Sequence, residues 1–324
     1  MASNIKADLS GRVAFVTGSA SGVGLRTFRA LARMGARVYL ADINEVDGRA
    51  AVAELEREGR DVVFFPLDLG TMRTAQQAAD SFLKREDRLD ILVNNAALLS
   101  KEYEIGLDGL VDTMSVNYFG HVVLTNCLLP LLKRTAAQPG SDVRIVTIGS
   151  HGHRWMKTQR FATLRQFNEE YGGNSTQGQM MRYCASKLAE TMWFRNLHKQ
   201  LVAEGANITC VLVDPGSVYS EGAYRRVMTL PWYIRPVIRF VLWMTFDSPE
   251  TGCMTSVFAA SAPEVHEKPE TYNGSYLLST DHKPTLSQVV GQALDEELGK
   301  ELWDSTERMI EEKLGPNWRN GPFI

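Results

Sequence analysis

Tyr183 and Lys187 stand four residues apart in Tyr183-Cys184-Ala185-Ser186-Lys187. On a helix that spacing puts both on one face. A free phenol, with a pKa of about 10, is a poor base at neutral pH. A nearby ammonium favours the phenolate and lowers that value. Ser150 offers a hydroxyl to hold a substrate oxygen. Asn117, in Ser115-Val116-Asn117-Tyr118, offers an amide to anchor a water linking Lys187 to bulk solvent. A fourth segment, Thr17-Gly18-Ser19-Ala20-Ser21-Gly22-Val23-Gly24, is a glycine-rich turn of the kind that holds a dinucleotide pyrophosphate. Together these groups suit removal of a proton from an alcohol while a nicotinamide accepts the hydride. Singly they are ordinary: a helix-surface pair, a turn serine, a capping asparagine, a tight turn. Their order on one chain, at the ends of alternating elements, carries the reading.

In the turn, Gly18 permits the reversal, and Gly22 and Gly24 let backbone approach phosphate and helix pack on strand. Ser21 and Val23 lie between them, and the following helix offers free N–H groups. Asp42 follows the second predicted strand. An acid there accepts hydrogen bonds from the ribose hydroxyls and repels a 2′-phosphate, so NAD is favoured over NADP. The alternative for Asp42 is a solvated loop acid. Arg26 and Arg37 are near, but neither directly follows Asp42.

The positioning elements follow from periodicity. Continuous apolar runs predict strands at Arg12–Thr17, Arg37–Ala41, Val62–Phe65, Asp90–Val93, Val143–Ile148, Ile208–Val213 and Tyr276–Leu278. Helical spacing predicts helices over Gly22–Met34, Val46–Glu58, Thr71–Lys84 and Met181–Val202. Leu107–Leu132 is predicted helical with a break near Pro130. A further helix starts at Ser248-Pro249-Glu250, and Thr285–Leu314 has helical character. This alternation predicts an α/β fold: a Rossmann-type doubly wound parallel sheet with helices on both faces, in a single domain. Residues 9–150 form mainly the cofactor-binding half, 151–284 the catalytic and substrate half, and 285–324 a helical extension.

Composition narrows the class. The 324 residues are enough for a sizeable core without staples. A net charge of −3 and a pI near 6.1 give no basic field for nucleic acid. Cys127, Cys184, Cys210 and Cys253 show no metal-ligand spacing, and His151 and His153 alone do not make a metal site. The expectation is free thiols in a reducing compartment and no metal. Met1–Ser10 lacks an apolar run, and no stretch reaches the ~18 uncharged apolar residues of a spanning helix. The expected location is cytoplasmic.

With these residues in view, the chain resembles a short-chain dehydrogenase/reductase from about Leu9 to the C-terminal region. The resemblance rests on Thr17 to Gly24, on Asn94-Asn95-Ala96, on Asn117, Ser150, Tyr183 and Lys187, and on Pro215-Gly216. It implies catalysis by Asn117, Ser150, Tyr183 and Lys187. It also implies cofactor contacts at Asp68 and Leu69, Asn95 and Ala96, Tyr183 and Lys187, Pro215 and Gly216, and Val218. Three departures stand out: Ala97 ends the Asn-Asn-Ala motif, Gly149 precedes Ser150, and 33 positions separate Ser150 from Tyr183. The long gap, Ser248-Pro249-Glu250-Thr251-Gly252 and Leu302-Trp303 are similar to retinol-dehydrogenase-like members. The family commonly dimerises through the helices corresponding to Leu107–Leu132 and Met181–Val202, so a homodimer is expected.

Between Ser217 and Phe246 aromatic residues concentrate: Tyr219, Tyr224, Trp232, Tyr233, Phe240, Trp243 and Phe246. Ile234, Val237, Ile238, Val241 and Leu242 share one helical face, with Arg235 and Arg239 on another. Three readings compete: an amphipathic helix packed on the domain, a lid over a lipophilic substrate touching Tyr219 and Trp243, and peripheral membrane contact. The expected substrate is an apolar alcohol, ketone or aldehyde of terpenoid, retinoid or steroid-like character. Rival readings are a non-catalytic dinucleotide sensor and a redox-assisted isomerase or dehydratase.

Overall fold

The computed structural model describes residues 5, 7–99, 101–216, 249–280 and 283–319. Among the described residues eight strands form one sheet: β1 Val13–Thr17, β2 Arg37–Asp42, β3 Val62–Pro66, β4 Ile91–Asn94, β5 Val143–Ile148, β6 Ile208–Asp214, β7 Ser275–Thr280 and β8 Lys283–Ser287. Their order is β3-β2-β1-β4-β5-β6-β7-β8, parallel throughout except for the final β7–β8 hairpin. All residues of β1, β4, β5 and β6 are buried, as expected for strands covered on both faces. The order reverses between β1 and β4, paired at Val16 and Val93. In such sheets the crevice beyond the strand ends at this reversal is where ligands bind.

Helices α1 Gly22–Arg33, α2 Glu45–Arg57 and α6 Pro249–Ser261 accompany one apolar layer, which includes Leu25, Phe28, Leu31, Leu55 and Ala260. On the other lie α3 Met72–Leu83, α4 Asp112–Ala136, α5 Thr176–Ala203 and α7 Glu296–Leu314. There Phe15, Phe65 and Phe82 pack edge to face, with Phe15 and Phe82 centroids 5.0 Å apart, and Tyr39 stacks on Phe15. Helix α4 is apolar and long enough, by composition, to cross a membrane. It is nevertheless 89% buried over its most apolar window and acts as a core helix.

Three sequence expectations need correction. The predicted helix over Leu107–Leu132 begins only at Asp112. Leu107 is 91% exposed, and Gly106 to Leu110 form a turn closed by Gly106 N–H donating to the Leu110 carbonyl at 2.8 Å. Nor does Pro130 break the helix, which continues to Ala136. Leu128, Leu129, Leu131 and Leu132 are buried around it, and their packing outweighs the loss of one backbone hydrogen bond. Finally, the C-terminal extension is not helical throughout: Lys283–Ser287 is an edge strand. Pro284 is tolerated there because an edge leaves backbone groups without ladder partners.

The polar stretch between Gly152 and Gly178, whose role the sequence leaves open, has an apolar anchor. Met156, Phe161 and Phe167 are buried in the core, and Phe167 packs on Phe119 at 5.2 Å between centroids. This stretch holds α7 in place. Phe161 N–H donates to Glu301 at 2.9 Å, Ser305 Oγ donates to the Phe161 carbonyl at 2.6 Å, and Arg160 pairs with Glu301.

Candidate functional site

A cavity of about 940 Å³ opens at the carboxyl ends of the central strands. Gly18, Ser21, Gly22, Val23, Gly24, Asp42, Asp68, Leu69, Asn95, Ala96, Ser150, Tyr183, Pro215 and Gly216 all line it. Sequence segments more than 190 residues apart therefore meet on one wall. Asn117 and Lys187 stand behind that wall, buried. Val218, Tyr219 and Trp243, with the proposed lid at 217–246, lie outside the described residues.

The glycine turn fits a pyrophosphate. Gly22 has φ +57°, and a Cβ there would meet nothing within 4 Å, so the backbone borders open space. Gly24 is required for another reason: a Cβ would stand 2.4 Å from Asn95 Nδ2 and from the Gly18 carbonyl oxygen. Asn95 explains that closeness, because its amide donates to the Thr17 and Gly18 carbonyls at 2.8 and 3.0 Å. Thr17 Oγ1 accepts from the N–H groups of Asn95 and Ala96, tying the β4 loop to the turn. Asn95 thus shapes the cradle from behind. Asp42 is oriented by the N–H groups of Ala20, at 2.8 Å, and Asn44, at 2.9 Å. Its neighbour Ile43 is 73% exposed and also lines the cavity. No arginine is among the described lining residues.

Helix α5 carries Tyr183 and Lys187 as the spacing predicts. It starts earlier than expected, at Thr176, because Ser175 caps it by accepting from Gly178 N–H at 3.0 Å. Ser150 lies two residues past the end of β5, in extended conformation, and caps a short 3₁₀ turn, His151–Trp155. Burial pushes the Tyr183 phenol above its ordinary value, opposed by Lys187 and by a hydrogen bond with Ser150. Lys187 Nζ lies 6.0 Å from the Tyr183 ring centroid. It donates to the Ile148 carbonyl and to Glu190 Oε2, each at 2.7 Å. Burial disfavours the ammonium, but Glu190 and Tyr183 outweigh it and hold Lys187 above its ordinary value.

Asn117 is buried behind the cavity wall. It lies in a widened, π-type turn of α4 at Ser115–Phe119. Its Oδ1 accepts from Leu98 N–H at 2.7 Å, and its Nδ2 donates to the Leu98 carbonyl and to Ser186 Oγ. The side chain joins the β4 loop to α5.

Sequence reasoning missed three residues at this site. Glu190 is a buried partner of Lys187 three positions along the same helix, a spacing that already flags the pair. His151 places Nδ1 3.3 Å from Asp214 Oδ2. Asp214, just before Pro215-Gly216, also accepts from Tyr276 OH and Gly216 N–H. Burial opposes its ionisation, yet the hydrogen bonds from His151, Tyr276 and Gly216 hold its carboxyl below the usual range. The Asp214 hydrogen bond raises His151 against a smaller cost of burial. His153 is structural: it is buried, burial lowers its pKa, and its Nδ1 lies 2.6 Å from the Ser150 carbonyl. Cys184 lines the cavity, but burial pushes its thiol up to about 11, so it is not a nucleophile at neutral pH.

Residues 12–159 match the family model described as short chain dehydrogenase. The chain is 38% identical over 309 residues to the short chain dehydrogenase/reductase dpchH of Colletotrichum higginsianum, covering 92% of this chain and 75% of that one. It is 36% identical to the polyprenol dehydrogenase of Mus musculus (90% and 82% covered). It is 30% identical to retinol dehydrogenase 14 of Homo sapiens (93% and 87% covered). The fold is shared with the crystal structure of an uncharacterized protein from Mycobacterium paratuberculosis, with a TM-score of 0.70, 23% identity, and 96% and 97% of the two chains covered. The chain belongs to the short-chain dehydrogenase/reductase family, in its retinol-dehydrogenase-like branch, and is an oxidoreductase of the nicotinamide-dependent kind.

Proposed function

We propose that the protein interconverts a lipophilic alcohol and its ketone or aldehyde with NAD(H). The observation that carries this reading is the shared cavity wall. Ser150 and Tyr183 line the same space as the glycine turn and Asp42, with Lys187 directly behind the phenol.

In the direction of oxidation, Tyr183 takes the alcohol proton onto its phenolate oxygen. Ser150 Oγ holds the substrate oxygen against it, and the Lys187 ammonium stabilises the phenolate. Gly18, Ser21, Gly22, Val23 and Gly24 would hold the dinucleotide pyrophosphate, and Asp42 and Asp68 would offer carboxylates to its adenosine end. The nicotinamide would supply the acceptor for the hydride of the carbinol carbon. Asn117 acts by fixing Leu98 and Ser186, and through Ser186 the start of the Tyr183–Lys187 turn, since Ser186 Oγ donates to the Tyr183 carbonyl at 2.8 Å. The preference for NAD rests on Asp42 and on Ile43, which offers no cation to a 2′-phosphate. A lipophilic substrate is supported by Leu98, Leu99, Val116, Ile148, Trp155 and Met180 in the lining, and by the polyprenol and retinol dehydrogenases among the relatives.

The test is absorbance of reduced nicotinamide as purified protein meets a panel of lipophilic alcohols with NAD or NADP. Turnover with NAD on large apolar alcohols supports the reading. Cofactor binding without turnover on any member of a broad panel favours the sensor reading instead.

A further inference from the structure

Lys187 is the cation of the proposed reaction, and its surroundings contain a charge that the reaction as described does not use. Glu190 is fully buried. Its Oε2 accepts from Lys187 Nζ at 2.7 Å, while its Oε1 has no hydrogen-bond partner among the described residues and lies 3.6 Å from His121 Nδ1. His121, equally buried on α4, has its Nε2 3.0 Å from Thr17 Oγ1, the hydroxyl that ties the β4 loop to the glycine turn. A carboxylate with no access to water and one oxygen unpaired is costly unless a permanent cation balances it. Lys187 is that cation.

We propose that Glu190 is a positioning residue for the oxidoreductase reaction: it holds Lys187 in a buried ion pair and sets the pH at which Tyr183 gives up its proton. The inference rests on Tyr183 being the general base. The groups facing this pair are Tyr183 on the same helix, His121 on α4, the Ile148 carbonyl on β5, and Asp214 at the end of β6 with His151 beside it. With Glu190 ionised, Lys187 and Glu190 sum to zero, and ionising Tyr183 leaves a net negative cluster. With glutamine at 190 the cluster begins positive, and loss of the first proton from the Tyr183–Lys187 pair becomes easier. The sign does not depend on which of the two coupled groups releases it. Glu190 therefore trades some phenolate at neutral pH for a Lys187 that stays charged and held.

The test is phenolate absorbance against pH in cofactor-free protein, with Tyr183→Phe subtracted so that one of the ten tyrosines is read. Glu190→Gln is treated in the same way in its own Tyr183→Phe background. The expected result is a Tyr183 midpoint about one pH unit lower in Glu190→Gln, with the rising limb of kcat/KM for alcohol oxidation moving alike. Superimposed titrations would overturn the proposal. Because this readout needs neither substrate nor cofactor, its failure is separate from failure to find turnover. Should Glu190→Gln not fold, Glu190→Met, which removes the same charge at similar length, replaces it. The same lowered midpoint is expected, and a midpoint equal to the parent's would again overturn the proposal.

Discussion

His151 Nδ1 and Asp214 Oδ2 stand 3.3 Å apart on the cavity side of the sheet, joining the residue after Ser150 to the residue before Pro215. The pair connects the end of β5 to the end of β6, the two strands whose loops carry the hydroxyl and the Pro-Gly turn. The folded-state pKa of His151 is raised above its ordinary 6.5, so its contribution is fully present below about pH 6.5 and is lost as pH rises through the raised value. Asp214 is lowered, so its contribution is present above the ordinary carboxylate value and is lost as pH falls toward the depressed one. His151→Asn is expected to lower the melting temperature at pH 6 and to match the parent at pH 9. His151 is 42% exposed, so solvent screening keeps the loss within about 1 kcal/mol. Equal destabilisation at both pH values would mean that the pair is not charged in the fold.

Asp42 is predicted to select the cofactor. Its two oxygens are aimed by the N–H groups of Ala20 and Asn44, so substitution removes a fixed acceptor and a fixed negative charge. Asp42→Ser should raise KM for NAD about tenfold, the cost of about one hydrogen bond to a charged group. It should also narrow the gap to NADP. Steady-state kinetics with both cofactors decide this, and an unchanged NAD/NADP ratio would remove Asp42 from the cofactor's recognition.

Phe161 is predicted to be the fastening point of the C-terminal helix. It is fully buried, and its backbone is bonded to Glu301 and Ser305 on α7. Phe161→Ala should cost about 3 kcal/mol and expose α7 to protease, whereas Trp155→Ala, at a 54% exposed position, should change stability by less than about 0.5 kcal/mol. Denaturant midpoints and limited proteolysis measure both. Similar losses for the two variants would show that the insertion does not hold α7.

The central strands, the glycine turn and the Tyr183–Lys187 face were legible because each depends on local spacing. Continuous apolar runs mark doubly buried strands, and a four-residue step fixes a helical face. What escaped depends on distance. Asn117 was recognised, but its partners Leu98 and Ser186 come from another loop and another helix, so its structural use is invisible in the chain. His151 and Asp214 are 63 positions apart and meet only because β5 and β6 are neighbours. Pro130 misled because helix propensity is a local quantity, whereas its cost is offset by packing from α3 and the sheet. Glu190 is the opposite case. Its spacing from Lys187 was plain, but a helix-surface ion pair and a buried counterion have the same sequence signature, and only burial separates them.

The most direct test of the account is Tyr183→Phe, which removes one oxygen from the cavity wall and leaves the ring in place. Turnover of the best lipophilic alcohol at saturating NAD should fall by roughly a thousandfold, the scale of lost general acid–base catalysis. Binding of NADH, followed by fluorescence, should stay within about twofold of the parent, because the turn and Asp42 are untouched. Turnover within tenfold of the parent would contradict the assignment of Tyr183 as the group that moves the proton.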